Sequence, residues 1–126
     1  WDSVDQAFAR ARHSQKRVML VMGANWCHDS RALAGHFETP KFQTLIHESY
    51  ELVYVDVGQK NRNTDIAQVY GIDSIVGTPT VMILSPEGVL LNASTAPTWR
   101  NAASRTQDDV FIYFSAYASG DIIENE

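Results

Sequence analysis

An alternation of helix-type and strand-type segments constrains the fold of this chain more than any other feature of its sequence. Apolar residues recur at helical spacing in segments 2–14, 27–38 and 65–70 and in a segment that begins at Pro40. Short apolar runs typical of strands cover residues 17–22, 51–57 and 80–84. A turn at 85–88, with proline second and glycine last, leads to a predicted fourth strand at 89–92. Helix-linked strands that end in a hairpin predict an α/β fold, a mixed sheet of about four strands with helices on both faces.

The last third of the chain begins polar and becomes aromatic. Residues 93–105 show little periodicity and predict a loop, in which Trp99 is a candidate for an exposed contact with a partner. Thr106 and Asp109 form a capping box that opens a last helix, and the acidic tail 121–126 is expected to be frayed. Four aromatic residues are predicted to lie in the core: Phe37, Tyr54, Phe111 and Phe114.

Charge and hydropathy exclude several classes of partner. Ten Lys and Arg against fifteen Asp and Glu give a net charge of −5 without a basic run, which argues against nucleic acid and anionic membrane. The longest purely apolar stretch, 18–22, is far shorter than the ~20 residues of a membrane span. One cysteine and four histidines without ligand spacing predict no metal site. At 126 residues without a linker, the chain is predicted to be one domain, 1–126, and a monomer.

The single cysteine, Cys27, follows the first predicted strand and begins the next helix. One cysteine cannot form an internal disulfide. Unpaired N–H groups and the dipole at a helix start favour thiolate over thiol, so the position lowers the pKa expected of Cys27. Two readings remain open at this point: a reactive thiol, or a small buried hydrophobic residue.

Two motifs carry a resemblance that extends over essentially the whole chain. WCHDS at 26–30 follows the first strand, and GTPT at 77–80 precedes the third strand. In this order and in this pattern of helices and strands, they resemble the thioredoxin superfamily. The stretches VDVGQKNRNTDIAQVYGI at 55–72 and GTPTVMILSPEGVLL at 77–91 are similar to small bacterial thioredoxin-like disulfide isomerases. The resemblance implies a thioredoxin-like fold.

The resemblance also implies roles for individual residues. Cys27 corresponds to the attacking thiol, and Trp26 and Pro79 to the groups that face the substrate. Thr78 corresponds to the residue whose backbone pairs with the substrate chain, in a loop that the family closes with a cis-proline. We expect His28, when protonated beside the thiolate, to stabilise the anion; the alternative is a solvated residue at the helix start.

The chain departs from the family pattern at two positions. Ser30 stands where the family's C-x-x-C motif has its second cysteine, and Val21 stands where many members have a buried carboxylate. The second thiol normally resolves the mixed disulfide, and the carboxylate assists its deprotonation. Ser30 still has a hydroxyl that could donate a hydrogen bond to Cys27 and lower the pKa of its thiol further.

These departures predict monothiol chemistry, in which Cys27 forms mixed disulfides with protein or glutathione substrates. No cofactor is expected, although glutathione could act as a co-substrate. The alternative function is a redox-inert module that binds an extended peptide in the same groove. The compartment is left open by the sequence, with the resemblance favouring the bacterial periplasm, or another extracytoplasmic location, over the cytoplasm.

Overall fold

The structure, a computed structural model, describes residues 2–24 and 27–118. Its elements, in chain order, are α1 (Asp2–Ser14), β1 (Arg17–Gly23), α2 (His28–Phe37), α3 (Pro40–Ser49), β2 (Tyr50–Asp56), α4 (Thr64–Val69), β3 (Thr80–Leu84), a 3-10 segment (Ala96–Ser104) and α5 (Gln107–Ala116). The predicted tail at 121–126 lies outside the described residues. Within the described ranges, no helix has both the length and the apolar character needed to cross a membrane.

The three strands form one mixed sheet in the order β2-β1-β3. β1 runs parallel to β2 and antiparallel to β3, with Gly23 opposite Asp56 and Met22 opposite Thr80. The carboxyl ends of β1 and β2 therefore meet the amino end of β3 at one edge of the sheet. The predicted α/β class with a mixed sheet is confirmed.

Both faces of the central strand are covered, which explains why β1 is an apolar run and does not alternate with polar residues. Val18, Leu20 and Met22 point into one core, which they share with α1 and α4. Met19 and Val21 point into a second core, shared with α2, α3, the 3-10 segment and α5. Helices thus lie on both faces of the sheet, as predicted.

The predicted fourth strand is reduced to a single bridge between Leu84 and Leu90, so the expectation of about four strands is corrected to three among the described residues. Beyond the bridge, the buried Asn92 side chain accepts a hydrogen bond from the Ile83 amide at 2.9 Å and donates to the Val81 carbonyl at 2.8 Å. A primary amide carries a donor and an acceptor, as a peptide unit does. One side chain thus satisfies the β3 backbone where further strand pairing was expected.

The predicted loop at 93–105 is largely the 3-10 segment, and Trp99, the candidate for an exposed contact, is buried instead. Trp99 is 0% exposed, and its ring stacks on Phe114 with 5.0 Å between ring centroids. Its buried neighbours in the segment, Ala96 and Ala102, lie three residues to either side. That spacing is the period of a 3-10 helix, a signal hidden by the polar residues between them.

The expectation that Tyr54 is a core residue is also wrong, because its ring is 54% exposed. β2 is an edge strand of the described sheet, so its residues receive less cover than those of β1. The helix aromatics are better covered: Phe37 and Phe114 are buried, and Phe111 packs against the second core while partly exposed.

Candidate functional site

Cys27 lies at the start of α2, just beyond the carboxyl end of β1. Its backbone is extended, with φ −84° and ψ 123°, and its carbonyl accepts a hydrogen bond from the Arg31 amide at 3.1 Å. Cys27 is therefore the N-cap of the helix, and the next amides point towards its side chain without helical partners. The side chain is only 8% exposed. The thiol thus lies at the helix start that the sequence predicted, and it is largely buried there.

The Thr78–Pro79 loop, which leads into β3, contacts the thiol at the carboxyl end of β1. The antiparallel register pairs Met22 with Thr80, which puts the residues before Thr80 beyond the end of β1. The Thr78 hydroxyl donates to Cys27 Sγ at 3.1 Å, and the thiol donates to the Thr78 carbonyl at 3.3 Å. The Thr78–Pro79 peptide bond is cis. Strand pairing thus brings the two sequence motifs into direct contact.

The Ser30 hydroxyl lies between the end of β1 and the thiol. It accepts a hydrogen bond from the Ala24 amide at 3.3 Å and is hydrogen-bonded to the Cys27 side chain. Gly23 makes this position accessible, because a Cβ on that residue would lie 2.7 Å from Ser30 Oγ. The serine is therefore packed against the β1 backbone and bonded to the thiol.

Burial and hydrogen bonding act on the thiol in opposite directions. Burial raises the pKa of Cys27, but hydrogen bonds from the hydroxyls of Thr78 and Ser30 and from the backbone amides of Ser30 and Asp29 lower it, and the net pKa is below that of an ordinary thiol. Donors directed at sulfur stabilise the charged form. Cys27 consequently carries more thiolate at neutral pH than an unperturbed cysteine does.

A cavity of about 190 Å³ is lined by both Ser30 and Val21, the two positions where the sequence departs from the resembled pattern. The buried Val21 contributes an apolar wall to this cavity. Asp56 is the one carboxylate among the described lining residues, and it is engaged by Arg62 at 3.4 Å and by the Gly58 amide at 2.8 Å. No unengaged carboxylate therefore lines the described walls beside position 30.

The remaining predicted site residues differ in how close they come to the thiol. His28 is exposed at the first position of α2, and no described hydrogen bond connects it to Cys27. The Asp29 carboxylate accepts a hydrogen bond from the Ala103 amide at 2.8 Å, which joins α2 to the 3-10 segment. Trp26, predicted to face the substrate, lies outside the described residues. In residues 2–24 and 27–118, no three potential ligands are grouped to hold a metal ion.

The Thr78 side chain is a functional group that sequence reasoning missed, because only its backbone was assigned a role. We expect Thr78→Val to raise the pKa of Cys27, since the variant loses a donor to sulfur and keeps the residue's volume. The rate of iodoacetamide alkylation measured against pH should show a higher midpoint and a slower reaction at neutral pH. Thr44→Val, at an exposed position on α3, is the matched control. An unchanged midpoint in Thr78→Val would refute the contribution of this hydroxyl.

Comparisons with known proteins agree with this fold. The family described as Thioredoxin-like matches residues 1–86. The crystal structure of a disulphide isomerase from Xylella fastidiosa Temecula1 has a TM-score of 0.87 and 30% sequence identity, covering 94% of this chain and 91% of that chain. A thioredoxin-fold protein from Helicobacter pylori has a TM-score of 0.50 and 17% identity, covering 82% and 83%, and is evidence for the fold alone. No curated protein matches the sequence. The chain belongs to the thioredoxin-like family.

Proposed function

We propose that the protein catalyses thiol–disulfide exchange with Cys27 as its one nucleophile. The observation that carries the proposal is the thiol of lowered pKa at the start of α2, hydrogen-bonded to Thr78 and Ser30 beside the cis-proline loop. The similarity to a disulphide isomerase over most of both chains supports the same class of reaction. A thiolate is the attacking species in disulfide exchange, so a lowered pKa increases its concentration at neutral pH.

In the first step, the Cys27 thiolate attacks one sulfur of a protein disulfide or of glutathione disulfide. A bond forms between Cys27 Sγ and that sulfur, the original S–S bond breaks, and the other sulfur leaves as a thiolate that takes a proton from water. Trp26 and Pro79 would contact the substrate around the reacting disulfide, and the Thr78 backbone would pair with the substrate chain. The number of disulfide bonds is unchanged.

The second step needs a thiol from outside the chain, because the sequence contains one cysteine. A second client thiolate, or glutathione, attacks the mixed disulfide and releases Cys27 as thiolate while a new disulfide forms on the attacker. With a client thiol the result is a rearranged disulfide. Where Cys27 has instead taken glutathione from a glutathionylated client, attack by a second glutathione releases glutathione disulfide and leaves the client without its adduct. Protein clients that carry disulfide bonds are found in oxidising compartments, and we therefore propose an extracytoplasmic location.

A second candidate function is a peptide-binding module without redox activity. It is favoured by the two departures, Ser30 and Val21, which border the same cavity and leave no resolving thiol there. In this alternative, Trp26 and the Thr78–Pro79 loop bind an extended client, and Cys27 is a small hydrophobic residue.

A titration and a trapping experiment test the proposal and separate the two candidates. Alkylation of Cys27 measured against pH should have a midpoint below that of free cysteine. Intact-mass spectrometry after incubation with glutathione disulfide, or with a small protein bearing scrambled disulfides, should show adducts on the wild type and none on Cys27→Ala. The wild type should also restore native pairing in the scrambled protein.

Client capture distinguishes the alternatives further. In the exchange mechanism, dithiothreitol releases the client and Cys27→Ser no longer retains it. In the binding module, Cys27→Ser binds as well as the wild type and Trp26→Ala binds less. An ordinary thiol midpoint, together with isomerase activity that persists in Cys27→Ala, would overturn the exchange mechanism.

A further inference from the structure

We propose that Arg100, assisted by Lys60, forms a subsite beside the thiol that recognises a carboxylate next to the reacting disulfide of the substrate. This inference rests on the proposed exchange reaction and specifies its substrate class. The carboxylate could belong to an Asp or Glu beside the client cysteine or to glutathione, and the two sources are separated by the experiment below.

Arg100 packs directly on the loop that holds the thiol. A Cβ built on Gly77 would lie 2.7 Å from Arg100 Cδ and 2.9 Å from Arg100 Cβ, so the arginine stem covers a surface that only glycine leaves free. Gly77 precedes Thr78, whose hydroxyl and carbonyl both contact Cys27 Sγ. The aliphatic part of the Arg100 side chain therefore packs on Gly77, the residue next to Thr78, which is the hydrogen-bond partner of the thiol.

Lys60 reaches the same loop from a different segment. Its Nζ donates to the Val76 carbonyl at 3.2 Å, and Val76 is 59% exposed. Lys60 follows β2, whose carboxyl end lies beside that of β1 because Asp56 pairs with Gly23. The loop that the family uses to present backbone to a substrate is thus contacted by two cations from separate elements.

Neither cation is neutralised within the described part of the chain. The ion pairs there, with oxygen and nitrogen no more than 4.0 Å apart, are Arg10–Glu51 and Arg62–Asp56. Arg100 Nη1 donates to the Pro97 carbonyl at 2.9 Å, a bond that uses one of the five N–H donors of a guanidinium. Two cations without carboxylate partners in the described residues therefore lie against residues 76 and 77, next to the residue that bonds the thiol.

The backbone that carries Arg100 is held in place before any substrate arrives. Trp99 and Ala102, on either side of it in the 3-10 segment, are both fully buried. The Ala103 amide donates to Asp29 Oδ1 at 2.8 Å, which links this segment to the helix that begins at the thiol. Preorganisation of this kind reduces the entropy lost when a ligand is bound.

An exposed arginine suits a carboxylate because its planar group can donate two parallel hydrogen bonds. A charge at the rim of a site acts mainly on the rate of association and on its salt dependence. The subsite adds no covalent step: the bonds formed and broken are those of the exchange reaction. It selects which disulfides reach Cys27 fastest.

The test compares rates of adduct formation on Cys27, measured by intact-mass spectrometry at low and high salt. The substrates are disulfide peptides with Asp, Asn or Lys beside the cysteine, and glutathione disulfide with its carboxyl-esterified form. The wild type should react with the Asp peptide about 2- to 5-fold faster than with the Asn peptide at low salt, as expected for one exposed ion pair. Arg100→Gln should reduce this ratio to about 1, and Lys60→Gln should reduce it less.

Arg12→Gln is the matched control, since it removes the same charge from an exposed position in the last turn of α1. The ratio between two substrates cancels any change that a variant makes in the pKa of Cys27.

The outcomes in Arg100→Gln separate the two sources of the carboxylate. If only the preference for the Asp peptide is lost, the ligand is an acidic residue of the client. If only the preference for glutathione disulfide over its esterified form is lost, the ligand is a carboxylate of glutathione. A ratio that survives in Arg100→Gln, or a wild type that forms adducts without any acidic preference, overturns the subsite and leaves the exchange reaction standing. Failure to form adducts with every substrate overturns the proposed function itself.

Discussion

A Ser30→Cys variant is expected to release its mixed disulfides without an external thiol. The Ser30 hydroxyl already contacts the Cys27 side chain, so a thiol at position 30 would be within reach of the adduct sulfur. Because an intramolecular attacker has a far higher effective concentration than a thiol in solution, we expect the adduct lifetime to fall by about 100-fold or more. The larger sulfur has room, because position 30 borders the cavity of about 190 Å³.

The rate of this internal release should rise with pH. An attacking thiol must first lose its proton, and the cavity wall at Val21 is apolar where a carboxylate would have assisted. The measurement is the disappearance of a preformed glutathione adduct, followed by intact-mass spectrometry in the absence of added thiol. The product should be an internal disulfide between positions 27 and 30.

Ser30→Ala provides the control for the loss of the serine hydroxyl, since it introduces no thiol. Its adduct should last at least as long as that of the wild type, whose release depends on an outside thiol. Equal adduct lifetimes in Ser30→Cys and the wild type would contradict the inference that a thiol at position 30 lies within reach of the adduct sulfur.

Trp99→Ala is expected to lower the free energy of unfolding by about 3–5 kcal/mol, the range for removal of a buried aromatic side chain. The indole is 0% exposed; its ring stacks on Phe114 and has the edge of Tyr113 at 4.8 Å between centroids. Arg105 lies over the ring, 3.9 Å from its centroid. A loss of this size is a large fraction of the stability of a typical domain. Urea denaturation followed by circular dichroism measures it.

The Trp99→Ala substitution should also disturb the surroundings of Cys27. The 3-10 segment carries Arg100, and its Ala103 amide donates a hydrogen bond to Asp29. Ile112→Ala is the control: this residue is 66% exposed on α5, and its truncation should change stability by less than about 0.5 kcal/mol. If Trp99→Ala were as mild as Ile112→Ala, the indole would be a surface residue, as the polar sequence around it suggested.

Elements with local signals could be predicted closely from the sequence. Pro40 starts α3, and the Thr106 side chain accepts a hydrogen bond from the Asp109 amide at 3.1 Å at the start of α5, as the capping pattern predicted. β3 was predicted over 80–84, where it is found. Such signals depend on neighbours a few residues apart, whose interactions form in any context that allows a helix or strand.

The errors lie where a distant residue decided the structure. The predicted fourth strand does not pair regularly at Asn92, because the side-chain amide of this residue donates hydrogen bonds to the β3 backbone and, at 2.7 Å, to the Tyr113 hydroxyl. Trp99 is buried because α5 presents Phe114 to it. Polar composition and weak periodicity do not report such contacts, since the partners are separated in the chain.

The candidate site was predictable in its residues and only partly in its geometry. The position of Cys27 at a helix start follows from local pattern, and the resemblance singled out the Thr78–Pro79 loop. The hydrogen bond from the Thr78 hydroxyl to sulfur joins residues 51 positions apart. The role of Arg100 had no local signal, because it depends on a glycine in another segment.

The sequence by itself determined the α/β class, the single thiol at a helix start, and the presence of a serine three residues after that thiol. These are properties of local pattern and of residue chemistry. Only the tertiary structure decided which groups surround that thiol. The pairing of Met22 with Thr80 carries the Thr78 hydroxyl to the sulfur, and the buried Trp99 fixes the segment that brings Arg100 onto Gly77. Contacts of this kind depend on strand register and core packing, which the whole chain sets together.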